Sequence, residues 1–156
     1  MSHEVFMTQK NPDPSQLALA GLRVLEIGAG PALAYTGKLF ADFGAEVIKA
    51  ESAAGDAWRQ MPPLVATSDA APPESALFAW LNTNKRSITI DLRIDLGREV
   101  FLKLVETADV VLSNFVPGTL ERWGIGYESL CERNPRVILG CGNTFGPAGP
   151  DSQRKG

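Results

Sequence analysis

The stretch Leu22–Glu51 reads LRVLEIGAGPALAYTGKLFADFGAEVIKAE. Val24, Leu25 and Ile27 make a short apolar run that stops at Gly28 and Gly30, where small residues let the backbone turn sharply and approach a ligand. A helix is expected from Leu33 to Phe43. Tyr35, Leu39 and Phe43, beside Ala32, Thr36 and Phe40, form its apolar stripe, and Gly44 stands where a C-terminal cap belongs. Ala45 to Lys49 supplies the next strand. A strand, a helix and a second strand this close together define a right-handed parallel βαβ unit, whose ligands sit at the carboxyl ends of the strands. Gly28 to Ala32 lies at that end.

Two readings compete for this turn: a methyltransferase motif and a purely structural turn. Val24-Leu25-Glu26-Ile27-Gly28-Ala29-Gly30, with Glu51 closing the second strand, resembles the opening motifs of S-adenosylmethionine-dependent methyltransferases, and Asp109 to Asn114 resembles one of their later strands. Both matches are short. Ala32 stands where a third glycine is often wanted, and a glycine-rich βα turn is a general device for presenting backbone N–H groups to a ligand.

Composition narrows the field. With 156 residues, 44% of them hydrophobic, the chain can bury the core of one ordinary domain. A net charge of −3 provides no overall basic field to recruit nucleic acid or an anionic membrane. Cys131 and Cys141 lack the close spacing of a metal or redox motif and read as reduced thiols. His3 is the only histidine, in a polar stretch without periodicity, so no Ser-His-Asp, Cys-His or His-rich metal site is expected. There is no apolar run of membrane-spanning length and no signal-like apolar core near Met1, so a cytoplasmic location is the expectation. Residues 1–17 are expected to form a flexible arm, and residues 18–156 a single α/β domain.

Beyond Glu51, Ser52 to Ser75 is a long connection carrying Pro62-Pro63 and Pro72-Pro73. Its Gly55-Asp56-Ala57-Trp58-Arg59 segment offers an aromatic and a guanidinium to cover a ligand, or a Trp pinned on the core. Ala76 to Leu81 reads as one or two helical turns. Ser87, Thr89 and Asp91 alternate with Ile88, Ile90 and Leu92 in a strand that Lys85 and Arg86 introduce. Asp95 is then the expected N-cap of a helix with Gly97, Val100, Phe101, Leu104, Val105 and Ala108 on one face. Val110 to Ser113 is continuously apolar, as a strand buried on both faces should be. Helical turns from Thr119 to Trp123 and Tyr127 to Asn134, a strand from Val137 to Cys141, and a Gly- and Pro-rich loop complete the chain. The alternation implies an open, mainly parallel, Rossmann-like sheet with flanking helices.

The later blocks resemble one family. Leu19 to Leu25, Ala41 to Lys49, Asn84 to Leu92, Ala108 to Gly118, Leu120 to Gly124 and Asn134 to Ile138 follow the order and spacing of the family III CoA-transferases. That group includes formyl-CoA transferases, carnitine CoA-transferases and alpha-methylacyl-CoA racemases. The resemblance implies covalent catalysis: an aspartate attacks an acyl-CoA thioester, the acyl group becomes a mixed anhydride, and CoA passes to an incoming carboxylic acid. CoA is here a substrate, and no prosthetic group or metal is implied.

Carried over residue by residue, the family's CoA contacts fall on Ala29, Gly30, Pro31 and Ala32, on Ile90 and Arg93, on Asn114 and Phe115, and on the cations Arg122 and Lys155. Arg93 and Arg122 also fit ordinary solvated charges, Asn114 a capping residue, and Asp91 and Asp109 structural roles. The turn Gly28 to Ala34 departs from the family's usual sequence, and Ser52 replaces an arginine found in some members.

Complete members are longer and form interlocked homodimers. Their nucleophilic aspartate, like the racemases' His-Asp pair, lies beyond the equivalent of Gly156. The chain is therefore expected to be the N-terminal, CoA-binding portion of such an enzyme, without a catalytic residue of its own. A racemase portion, a non-catalytic CoA- or partner-binding module and a methyltransferase are the alternatives.

Overall fold

A computed structural model describes residues 16–66 and 72–154. The opening unit is β1 (Arg23–Ile27), α1 (Pro31–Asp42) and β2 (Glu46–Glu51). Pro31 starts α1 because its missing N–H is one of the helix's unpaired donors anyway. Gly44, at φ 100°, ends it: its N–H reaches Ala41 O at 3.0 Å and the Ala45 N–H reaches Phe40 O at 3.0 Å, the paired bonds of a Schellman cap.

A short ribbon of antiparallel β3 (Leu64–Val65) and β4 (Glu74–Ser75) follows a 3-10 turn at Ala57–Gln60. The chain continues through α2 (Ala76–Leu81), β5 (Arg86–Thr89), α3 (Asp95–Val105), β6 (Val110–Ser113), α4 (Thr119–Arg122), α5 (Tyr127–Arg133) and β7 (Ile138–Cys141). The main sheet has the order β5-β2-β1-β6-β7, with every pairing parallel. Strand order thus reverses between β1 and β6, the position at which open α/β sheets leave a crevice at their carboxyl edge.

Apolar layers cover both faces. Leu33 and Ala41 of α1 meet Val24, Val47, Val110 and Leu112 on one side, while Phe101 and Val105 of α3 and Leu130 of α5 meet Leu25, Ile27, Ile48 and Val111 on the other. β6 is buried throughout, as its unbroken apolar sequence requires.

Four local expectations are corrected. The face that α1 buries carries Leu33, Ala34, Gly37 and Ala41, whereas Tyr35, Leu39 and Phe43 are 45%, 39% and 53% exposed. Small residues at the buried positions bring the helix close to the sheet, and the larger ones are left outside. Asp95 occupies the first helical position of α3 and pairs with Arg98, while Ile94 is the N-cap and gives no side-chain bond. Val100 is exposed, although Gly97, Phe101 and Val105 are buried as expected. The strand expected through Leu92 ends at Thr89, with one further bond from Ile90 N–H to Glu51 O at 2.7 Å. The expected arm lies almost wholly outside the described residues. Leu17, its last residue, abuts Gly44.

Candidate functional site

The site is built where β1, β2, β5 and β6 end. Gly28 leaves β1 at φ 130°, and Gly30 precedes α1 at φ 94°, values open to glycine at little cost. Asn114, directly after β6, clamps this turn from across the crevice. Its Oδ1 accepts from Ala29 N–H at 3.2 Å, and its Nδ2 donates to Ala29 O at 2.6 Å. A Cβ on Gly28 would stand 2.1 Å from that Oδ1. The amide therefore closes a two-point bridge over the strand-order reversal, and only glycine leaves room for it.

Two hollows flank the bridge. One, of about 380 Å³, is lined by Ala29, Ile90, Arg93 and Phe115 together with Glu51, Asp56 and Trp123. The other, of about 560 Å³, is lined by Ala32 and Asn114 with Thr36, Cys141 and Arg154. The candidates Gly30, Pro31 and Arg122 line neither hollow. Lys155 lies outside the described residues. Phe115 and Trp123 meet edge to face, with ring centroids 5.0 Å apart, and make a rigid aromatic wall. Trp58 is half-buried, with its indole Nε1 3.6 Å from where a Cβ on Gly30 would be.

Charge at the hollow is tightly paired. Arg93 donates from Nε and Nη2 to the two oxygens of Asp91, at 2.8 and 2.7 Å, and holds the Asp91 carboxyl down at about 2. For Glu51, burial works against the charge. The Arg59 guanidinium, at 2.6 and 3.0 Å, and the Ser87 hydroxyl, at 2.6 Å, outweigh it and bring the carboxyl to about 2. Arg122 is different. It donates to Thr119 Oγ1 at 2.8 Å and has no acidic partner among the described residues.

Lys85 and Arg86 anchor structure, the first bonded to Glu26 and the second to Glu46. Asp109 accepts from Arg23 N–H at 2.9 Å, a structural bond between strand starts.

Glu51 and Trp123 line the hollow at positions the sequence did not single out as CoA contacts, and Asp56 lines it from the Gly55-to-Arg59 segment expected to cover a ligand, whose Trp58 and Arg59 line neither hollow. Glu51 closes a strand, a position that does not by itself signal proximity to Ile90. Trp123 follows Arg122 directly, and that adjacency was the available clue.

Comparison with known proteins gives this crevice its family. The sequence model of CoA-transferase family III matches residues 19–156. The chain belongs to that family. It is 43% identical over 140 residues to a succinyl-CoA:mesaconate CoA-transferase of Haloarcula hispanica, covering 89% of this chain and 35% of that protein. A succinyl-CoA–L-malate CoA-transferase alpha subunit from Chloroflexus aurantiacus is 38% identical over 156 residues, covering 96% and 34%. Among solved structures, a CAIB/BAIF family protein from Brucella suis superposes with a TM-score of 0.83 at 40% identity, covering 90% of this chain and 37% of that one. The chain thus spans about a third of the length of the relatives it matches. The methyltransferase-like turn and strand are parts of this transferase family's sheet.

Proposed function

We propose that this chain is the N-terminal, CoA-binding domain, residues 18–156, of a family III CoA-transferase, with the CoA nucleotide in the hollow of about 380 Å³. The observation that carries the reading is the meeting of Ala29, Ile90 with Arg93, and Phe115, three stretches distant in sequence, around one cavity at the carboxyl edge. An apolar, aromatic-walled cleft with a few fixed polar groups suits an adenine ring, and cations outside it suit the phosphates. Arg122 is ready for that role because no carboxylate among the described residues competes for it. Lys155 is a second proposed phosphate contact.

The whole enzyme, on this reading, transfers CoA from an acyl-CoA to a carboxylic acid through an aspartyl intermediate. The aspartates near the described crevice are already engaged: Asp91 with Arg93, and Asp56 with Lys49. On this reading the attacking carboxylate belongs to a further part of the protein, as the family resemblance implies, and these 156 residues bind CoA without exchanging it. A homodimer completes the reading, as does a cytoplasmic setting. No helix among the described residues is long and apolar enough to cross a membrane.

Calorimetric titration with CoA and with S-adenosylmethionine tests the proposal. CoA is expected to bind saturably, and Arg122→Ala to weaken it by about 1.5–3 kcal/mol through loss of a charge-assisted hydrogen bond. Saturable S-adenosylmethionine binding with no response to CoA would overturn it.

A further inference from the structure

We infer that Lys49 is a positioning residue that ties the two walls of the CoA hollow to one buried point, an inference that rests on the function proposed above. Lys49 lies in the middle of β2 with its side chain 2% exposed. Its Nζ stands 2.9 Å from Glu26 Oε1, 2.9 Å from Asp56 Oδ2 and 3.4 Å from Gly28 O. An ammonium has three donors, and here each is directed at a different segment: β1, the loop after β2, and the glycine turn. Gly28 and Asp56 both line the hollow, one on the turn and the other on the loop.

The cluster closes on itself. The second oxygen of Glu26 is held by Lys85 Nζ at 2.8 Å, and Lys85 also donates to Ala34 O at 2.7 Å and Asn82 Oδ1 at 2.9 Å. Two ammoniums therefore balance two carboxylates. Burial lowers the proton affinity of Lys49, but Glu26 and Asp56 outweigh it and hold that affinity above the ordinary value.

Stability is a poor reason for such an arrangement, because well-packed apolar residues commonly replace buried ion pairs without loss. Val24 and Val47 show what the same face of this sheet holds elsewhere. What the charges add is directional geometry. Asp56, besides accepting from Lys49, caps the 3-10 turn by accepting Trp58 N–H at 2.9 Å, so fixing Asp56 fixes the loop that carries Trp58 and Ala57 beside the hollow.

Asp56→Asn tests this, since Glu26 still partners Lys49 and the cap acceptor remains. Ser75→Ala is the control: it removes another buried cap, that of α2, and lines neither hollow. Both are expected to lower Tm. Asp56→Asn alone is expected to weaken CoA binding, on the order of tenfold. Equal weakening in the two variants, or CoA affinity within about twofold of the parent in Asp56→Asn, would overturn the inference.

Amide NMR spectra without ligand supply a second readout. Asp56→Asn should shift the Gly28 and Ala29 resonances across the hollow, and Ser75→Ala should not. Shifts confined to the loop would contradict the tie between the walls. If the parent chain bound no CoA, the functional proposal would fail, while the spectra would still decide whether Lys49 couples turn and loop.

Discussion

Gly37 sits in the interior of α1, where replacing glycine with alanine ordinarily stabilises a helix by about 1 kcal/mol. Here an added Cβ would stand 1.9 Å from Glu26 Oε2 and 3.2 Å from Lys85 Nζ. Overpacking of this kind costs about 1–3 kcal/mol, and the displaced carboxylate also loses its buried partners. Gly37→Ala is therefore expected to lower unfolding stability in urea, and a gain would show that Glu26 is not seated against the helix. Glu51 contributes to the acid end of the pH dependence. Its carboxyl is held at about 2 against an ordinary 4.5, so its contribution is complete above 4.5 and is lost as pH falls toward 2. Arg59→Ala, which removes the main partner, should flatten the fall of Tm across that window. None of this charge cluster was legible in the sequence. Glu26 between Leu25 and Ile27, and Lys49 between Ile48 and Ala50, look like outward positions of half-exposed strands, and only the covering helix makes them buried.

At the scale of elements, the order of strands and helices could be read because Gly28, Gly30, Gly44 and Pro135 punctuate it. The orientation of α1 could not. Its sequence is apolar on more than one face, and the larger side chains pointed to the stripe that the structure leaves exposed. Tyr35 stacks on Trp80 there, with centroids 5.9 Å apart. Leu33→Ala should cost about 2–5 kcal/mol, since Leu33 lies in the core, whereas Leu39→Ala should stay within about 0.5 kcal/mol. Denaturant unfolding of the two variants checks the assignment of faces, and a reversed ranking would contradict it. α3 was easier to read. Gly97, Phe101 and Val105 share one face, and its outward residues are mostly charged, so a single stripe stood out.

For the molecule as a whole, the βαβ opening and the unbroken apolar run of β6 made a parallel sheet legible. The strand order did not follow from either, and with it went the knowledge of which candidates share a cavity. Ala29 and Asn114 were expected to contact one ligand; they are bonded to each other and border different hollows. Arg93, expected as a CoA contact beside Ile90, lines the hollow with it but is paired with its neighbour Asp91, a bond between residues two apart that any charged turn can form. On these placements CoA is expected to enter between the ends of β1, β2, β5 and β6. A crystal structure of the chain grown with CoA tests it most directly. Nucleotide density is expected against Ile90 and the Phe115–Trp123 wall, with a phosphate within hydrogen-bonding reach of Arg122. CoA lying instead in the hollow lined by Thr36 and Cys141 would contradict it.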